Sequence, residues 1–196
     1  KELLPLLCAV SQAHALLEEV AHGAREIADI VKALKNYVYL DQAPVQEVDV
    51  HEGLENTLII LRHKLKNGIT VRRDFATQLP RIQAHGSELN QVWTNLIDNA
   101  ADSLGAQGEI VLRTRGEGDW LSVEVEDNGP GIPAEVHSKV FTLFFTTKPP
   151  GKGTGLGLHT TYNIVRRHGG TIDFRSRPGN TVFTVRIPVN FQRQGD

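Results

Sequence analysis

Ten apolar residues, Leu6, Val10, Ala13, Leu17, Val20, Ala24, Ile27, Val31, Leu34 and Val38, recur in alternating steps of four and three. That spacing holds all of them on one narrow stripe of a helix ~50 Å long, at ~1.5 Å of rise per residue. Pro5 suits a first helical turn, where a missing N–H costs little. The register passes Gly23 without a slip, which favours one continuous helix over a hairpin. A seam this narrow either lies along the chain's own domain or packs between partner helices. The second is expected: residues 1–42 form part of a dimeric helical bundle and the chain is a homodimer through them.

Residues 43–49, with Pro44 and few large apolar side chains, read as a linker. From Val50 the pattern changes to mixed helix and strand, and residues 50–190 are expected to form one domain, with 191–196 as a tail. Leu54, Leu58 and Leu61 share a face of a helix over His51 to Lys66. Ile69 to Phe75 alternates as a strand. Ser87 is a favourable N-cap for a helix to about Leu104. Glu109 to Arg115 and Leu121 to Glu126 form a hairpin across residues 116–119. After two loops rich in glycine and proline, helix returns from about Leu156 to His168, and strands cover Thr171 to Arg175 and Thr181 to Ile187. Clustered strands with helices on one face make the class α+β.

Composition narrows the function. The 196 residues, 40% hydrophobic and 22% charged, suit one domain of ~150 residues with an accessory element. A net charge of −2 without long blocks of either sign argues against a nucleic-acid partner or a membrane surface. No apolar run approaches the ~20 residues a bilayer requires. The single cysteine, Cys8, cannot form an internal disulfide, in keeping with a cytoplasmic location. The chain lacks methionine and opens inside an apolar pattern, so a fragment of a longer polypeptide is expected.

Four segments carry chemistry. Asn95, Asn99 and Asp102 are spaced i, i+4, i+7 on one helix face. Neutral carboxamide oxygens there can ligate a hard cation beside a polyphosphate, as Mg²⁺ prefers; such a face is equally an ordinary solvated one. Asp127-Asn128-Gly129-Pro130-Gly131-Ile132-Pro133 follows a strand. It is either a common turn or a carboxylate and tight backbone set for an amino group such as that of adenine. Phe141 to Lys148 is an aromatic cluster running into Thr147 and Lys148, either a satellite core or the base of a mobile segment. Gly153-Thr154-Gly155-Leu156-Gly157-Leu158 opens a helix, where backbone N–H groups and the helix dipole favour an anion. It is neither a dinucleotide fingerprint nor a P-loop.

Taken in order, these segments resemble the N, G1, F and G2 boxes of the catalytic and ATP-binding domain of sensor histidine kinases, in the GHKL superfamily with gyrase, the heat-shock chaperone ATPase and mismatch-repair ATPases. The resemblance runs from about Val50 to Val189. It implies a two-layer α/β sandwich of the GHKL ATPase type, preceded here by a long dimerisation helix, with ATP and Mg²⁺ as cofactors. By that resemblance Asn99 is the metal ligand and Asn95 its companion on the phosphate side. Asp127 holds the adenine amino group, Gly129, Gly131 and Ile132 shape the base pocket, and Thr181 lies behind it. Thr147 and Lys148 start the lid. Gly153, Thr154, Gly155, Leu156, Gly157 and Leu158 carry the phosphates.

In hydrolytic members of the superfamily a glutamate stands four residues before the metal-binding asparagine. Here that residue is Asn95, which takes no proton at neutral pH. A site of this kind holds ATP for transfer, so the expected function is a protein-histidine kinase module of a two-component sensor, with Asn95 and Lys148 as catalytic positions. The γ-phosphoryl goes to a histidine on a helix outside this chain, and a response regulator receiver domain is the downstream partner. A GHKL ATPase and a non-enzymatic nucleotide sensor are the alternatives. Arg25 to Lys35 resembles the second helix of a dimerisation domain. His51-Glu52 imitates an acceptor dipeptide but starts a catalytic-domain helix, so His51 reads as structural. His14 and His22 lack the acceptor's acidic neighbour, and His168 reads as a cation ending a helix. Two departures stand out: Asp102 occupies a position that is basic in many sensor kinases, and the lid is short, so that either Lys148 or Lys152 is the cation that reaches the phosphates.

Overall fold

In the computed structural model of the chain, residues 45–66, 68–149 and 153–190 are described, together with His14, Leu16, Leu17, Val20 and Ala24. Strand alternation sets up the first layer. On β4 (Gly108–Glu117), β5 (Trp120–Asp127) and β7 (Asn180–Pro188), the residues Ile110, Leu112, Leu121, Val123, Val125, Phe183, Val185 and Ile187 are buried. Every second side chain along each strand thus faces one core. With β2 (Ile69–Asp74) and β6 (Thr171–Arg177) the order is β2-β4-β5-β7-β6. β2 pairs parallel with β4 and the other neighbours are antiparallel.

Helices α1 (Val50–Ile60), the short α2 (Arg62–Leu65), α3 (Gly86–Leu104) and α4 (Gly157–Arg167) make the second layer. On α3, Leu89, Val92, Trp93, Leu96, Ile97 and Ala100 recur at helical spacing and are buried; Ile164 and Val165 of α4 join them. Each large aliphatic side chain so buried contributes ~1.5–3 kcal/mol. The opposite sheet face is charged. Arg113 pairs there with Glu126 and, at 3.7 Å, with Glu124. Val111 and Val182, on either side of Glu126 in the register, are buried on that face outside the main core. The aliphatic stems of charged neighbours can cover such residues.

Several elements differ from the sequence expectation. Within the expected linker, β1 (Gln46–Val48) pairs antiparallel with β3 (Ile82–Ala84), so these residues belong to the domain. Strands of three residues show no period to read. The helix expected over His51 to Lys66 is interrupted at Leu61. The β4–β5 connection is shorter than four residues, because Glu117 pairs with Trp120 and only Gly118 and Asp119 turn, Gly118 at φ +64°. Helix α3 is capped by His85, without a side-chain bond, and not by Ser87, which lies in its first turn.

His85 has another task. Its backbone N–H donates to His168 Nε2 at 3.1 Å, while His168 Nδ1–H donates to the Ile164 carbonyl at 2.8 Å. His168 is fully buried, and that burial pushes its pKa down despite the Ile164 carbonyl and Glu88. It is therefore a neutral imidazole tying the end of α4 to the start of α3, which corrects the cationic reading. His51 Nε2 lies 2.8 Å from Thr114 Oγ1 and its ring stacks on Phe75 at 4.5 Å. Asp49 caps α1, accepting from His51 N–H at 2.9 Å.

Of the ten seam positions, Leu17, Val20 and Ala24 are described; all three are helical and exposed. Apart from His14 and Leu16, also helical and exposed, the rest of the expected long helix lies outside the described residues, as do Lys152 and residues 191–196. Among the described residues no helix is long and apolar enough to cross a membrane.

Candidate functional site

Between α3, α4 and the segments 140–148 and 153–155 lies a cavity of about 380 Å³. Asn95 and Asn99 enter it from α3, Thr147 and Lys148 from the segment 140–148, and Gly153, Thr154, Gly155, Gly157 and Leu158 from the approach to α4 and its first turn. Ile132 closes one end. Leu156 is the N-cap of α4; its side chain is 39% exposed and stands outside the lining. No side chain caps α4 and no acidic residue stands in its first turn. Its N–H groups and dipole are left for an anion.

Asp127, Gly129, Gly131 and Thr181 form an adjoining cluster. Asp127 Oδ1 accepts from Gly129 N–H at 2.9 Å and from Ser103 Oγ at 3.0 Å. The carboxyl is buried, which raises its pKa in spite of those two donors; the charge of Glu126 adds to the rise. The glycine loop is pinned to the β6–β7 turn, since Gly179 N–H donates to the Gly129 carbonyl at 2.9 Å. Gly131, at φ +84°, has the Arg177 carbonyl 2.7 Å from where a Cβ would sit, so no other residue fits. Ile132 N–H donates to Ser176 Oγ at 2.7 Å, and Ser176 Oγ lies 2.9 Å from Thr181 Oγ1. Ile132 thus joins this cluster to the cavity.

Asn95 turns its amide toward α4, donating to the Gly157 carbonyl at 3.0 Å and to Thr161 Oγ1 at 3.2 Å. Lys148 Nζ donates to Asn99 Oδ1 at 3.2 Å and to Asp102 Oδ2 at 2.5 Å. The aromatic run divides. Phe141 packs against Phe174 and Phe183, with centroids at 5.9 and 6.4 Å, whereas Phe144 is 69% exposed. Phe144 holds φ +63°, and its N–H donates to the Gly155 carbonyl at 3.0 Å. Segments 140–148 and 153–155 are clasped there, against a Gly155 whose added Cβ would strike the Phe144 backbone.

Sequence reasoning missed Lys64, Asp98 and Ser103. The first two line the cavity and the third holds Asp127. Asp98 and Ser103 were within reach, since each neighbours a singled-out helix face; Lys64 carried no signal. Among the described residues no group of three or more His, Cys, Asp or Glu is placed to hold a metal ion.

A mixed sheet under three principal helices, with an uncapped helix start, amide-bearing helix and pinned carboxylate around one cavity, defines a GHKL-type nucleotide-binding domain. The chain belongs to the histidine kinase-, DNA gyrase B- and HSP90-like ATPase family, which residues 84–190 match. It is 36% identical over 188 residues to the sensor histidine kinase ZraS of Klebsiella oxytoca, covering 94% of this chain and 40% of ZraS. With the sensory histidine kinase/phosphatase NtrB of Vibrio alginolyticus it shares 33% over 187 residues, covering 88% and 53%. The chain thus spans about half or less of the curated relatives' length. The nucleotide-free catalytic domain of histidine kinase ThkA superposes with a TM-score of 0.70 at 30% identity, covering 78% of this chain and all of that one. A structure of ThkA in complex with response regulator protein TrrA matches with a TM-score of 0.65 at 26% identity, covering 85% and 49%.

Proposed function

We propose that this chain is the phosphodonor module of a two-component sensor histidine kinase, binding ATP with Mg²⁺ and passing the γ-phosphoryl to a histidine on a separate helix. The observation that carries the reading is the convergence on one cavity of Asn99, the uncapped start of α4 and, through Ile132, the Asp127 cluster. The residues fit the nucleotide. Both hydrogen bonds that the Asp127 carboxylate accepts fall on Oδ1, which leaves Oδ2 to accept from an adenine amino group. Thr181 and Ile132 back the base. Gly153 to Leu158 offer main-chain N–H groups to the phosphates, with Lys148 beside them.

They also fit the metal. Asn99 contributes one neutral oxygen, and an Mg²⁺ ion held by so few protein ligands takes the rest from phosphate and water. Bound there, it would neutralise phosphate charge as the terminal group leaves. The chain's own residues orient the nucleotide and hold the lid base. Asn95, with its amide committed to α4, supplies no base to activate water. That favours transfer over hydrolysis.

Homodimerisation is supported by Leu17 and Val20, 67% and 69% exposed on helix, which leave part of the heptad seam without cover. A receiver domain as downstream partner is supported by the ThkA complex, and use of ATP supports a cytoplasmic location. The test is incubation of the full-length kinase with γ-labelled ATP and Mg²⁺. Acid-labile phosphate on a histidine, lost in Asn99→Ala, is expected. Steady phosphate release without a labelled histidine would instead mark an ATPase, and binding with neither would mark a nucleotide sensor.

A further inference from the structure

Two carboxylates stand at the phosphate end of the cavity and take no part in the reaction as proposed. Asp98 and Asp102 lie one turn apart on α3, flanking Asn99, and both line the cavity. Unaccompanied, they would repel a polyphosphate. Lys64, from α2, donates to Asp98 and, at 3.1 Å, to Asp102 Oδ1. Lys148, from the lid base, takes the other oxygen of Asp102 at 2.5 Å. Asp102 therefore bridges two ammonium groups brought from distant parts of the chain, and the second of them also reaches Asn99.

The two lysines differ in what carries them. Lys148 sits where the lid begins. Lys64 stands on a helical turn anchored by buried Leu65, so its position does not depend on the lid. It lines the same cavity, and its ammonium has three N–H groups, of which the two aspartates use two. Burial works against its charge, but the hydrogen bonds and charges of Asp98 and Asp102 outweigh that and hold its pKa above the ordinary lysine value.

We propose that Lys64 is a phosphate-binding residue of this site, and that Asp98 and Asp102 are positioning residues which hold it at the cavity. The inference rests on the ATP-binding reading given above. An α3 carboxylate that looks unfavourable for an anion thereby gathers the cations that receive it.

The test measures nucleotide affinity of this chain, by calorimetry for Mg-ATP and by chemical-shift titration for adenosine. Lys64→Met is expected to weaken ATP about tenfold, the worth of one charge-assisted hydrogen bond, and to leave adenosine unchanged. Lys64→Arg, which keeps the charge, is expected to restore ATP affinity to within about threefold. Asp102→Asn decides the sign. If the carboxylate only repelled phosphate, its removal would tighten ATP, whereas a positioning role means weaker binding. The inference is overturned if Lys64→Met changes ATP affinity by less than about twofold, or weakens adenosine equally with a fall in melting temperature, which marks a structural ion pair. Tighter ATP binding by Asp102→Asn overturns it as well. Failure of the parent chain to bind Mg-ATP at all would instead sink the nucleotide reading.

Discussion

Asn95 commits both hydrogens of its amide to α4, at Gly157 and Thr161, and so its first duty is architectural. Asn95→Ala removes two hydrogen bonds at the helix start that faces the cavity. A loss of about 1–2 kcal/mol is expected in chemical denaturation, with faster amide exchange confined to the first turn of α4. Asp127 has a different balance. Burial raises its pKa above 3.8, so in the nucleotide-free chain its contribution to stability falls as pH rises from 3.8 through the folded value. On the proposed reading Asp127 accepts from adenine in its ionised form, and ATP affinity should therefore weaken on acidification from a pH above 3.8. Ser103 donates to that carboxylate and holds its pKa down, so Ser103→Ala should move the acid limb to higher pH in a series of binding titrations. An upward shift that fails to appear would mean that Ser103 merely fills space.

At the scale of elements, α3 and α4 are fastened at both ends, by Asn95 near the cavity and by His168 at the far side. His168 is neutral in the fold, with a pKa below 6.5. The unfolded chain binds the extra proton first, so stability is full above about pH 6.5 and is lost as pH falls below it toward the folded pKa. The melting temperature is expected to drop through that window, and His168→Gln to flatten the curve. This fastening shows what sequence reading reaches. The glycine, asparagine and aromatic segments that meet at the cavity were legible because unusual residues stand close together in each, and β4, β5 and β7 because half-buried strands alternate. The His85–His168 bond spans 83 positions and joins a cap to a helix end, which no local pattern announces. Lys64 meets Asp98 across 34 positions on a turn whose exposed neighbours look the same. Ser87 shows the converse: a favourable cap residue falls inside the first turn, because the helix begins at Gly86, directly after the His85 backbone that His168 holds.

For the whole molecule, the seam and the sheet face set opposite terms with their surroundings. Leu17 and Val20 leave helix exposed with apolar side chains, the condition of a surface awaiting a second helix. Val20→Lys or Leu17→Lys should shift sedimentation toward monomer and leave Mg-ATP binding unchanged; unaltered association would remove the seam from the dimer interface. The outer sheet face, by contrast, carries the paired charges of Arg113, Glu124 and Glu126 beside two buried valines, with Trp120, 39% exposed, at one end. The strand order carries one more consequence. β7 is the last strand along the described chain, yet it lies inside the sheet, between β5 and β6. During synthesis on a ribosome, β4 and β5 must wait with an open edge until residues 180–188 have left the exit tunnel. The turn that pins the Gly129 loop arrives with them. The candidate site is therefore completed only once β7 is made, and a chain clipped before that strand holds the glycine and asparagine segments without the turn that pins them.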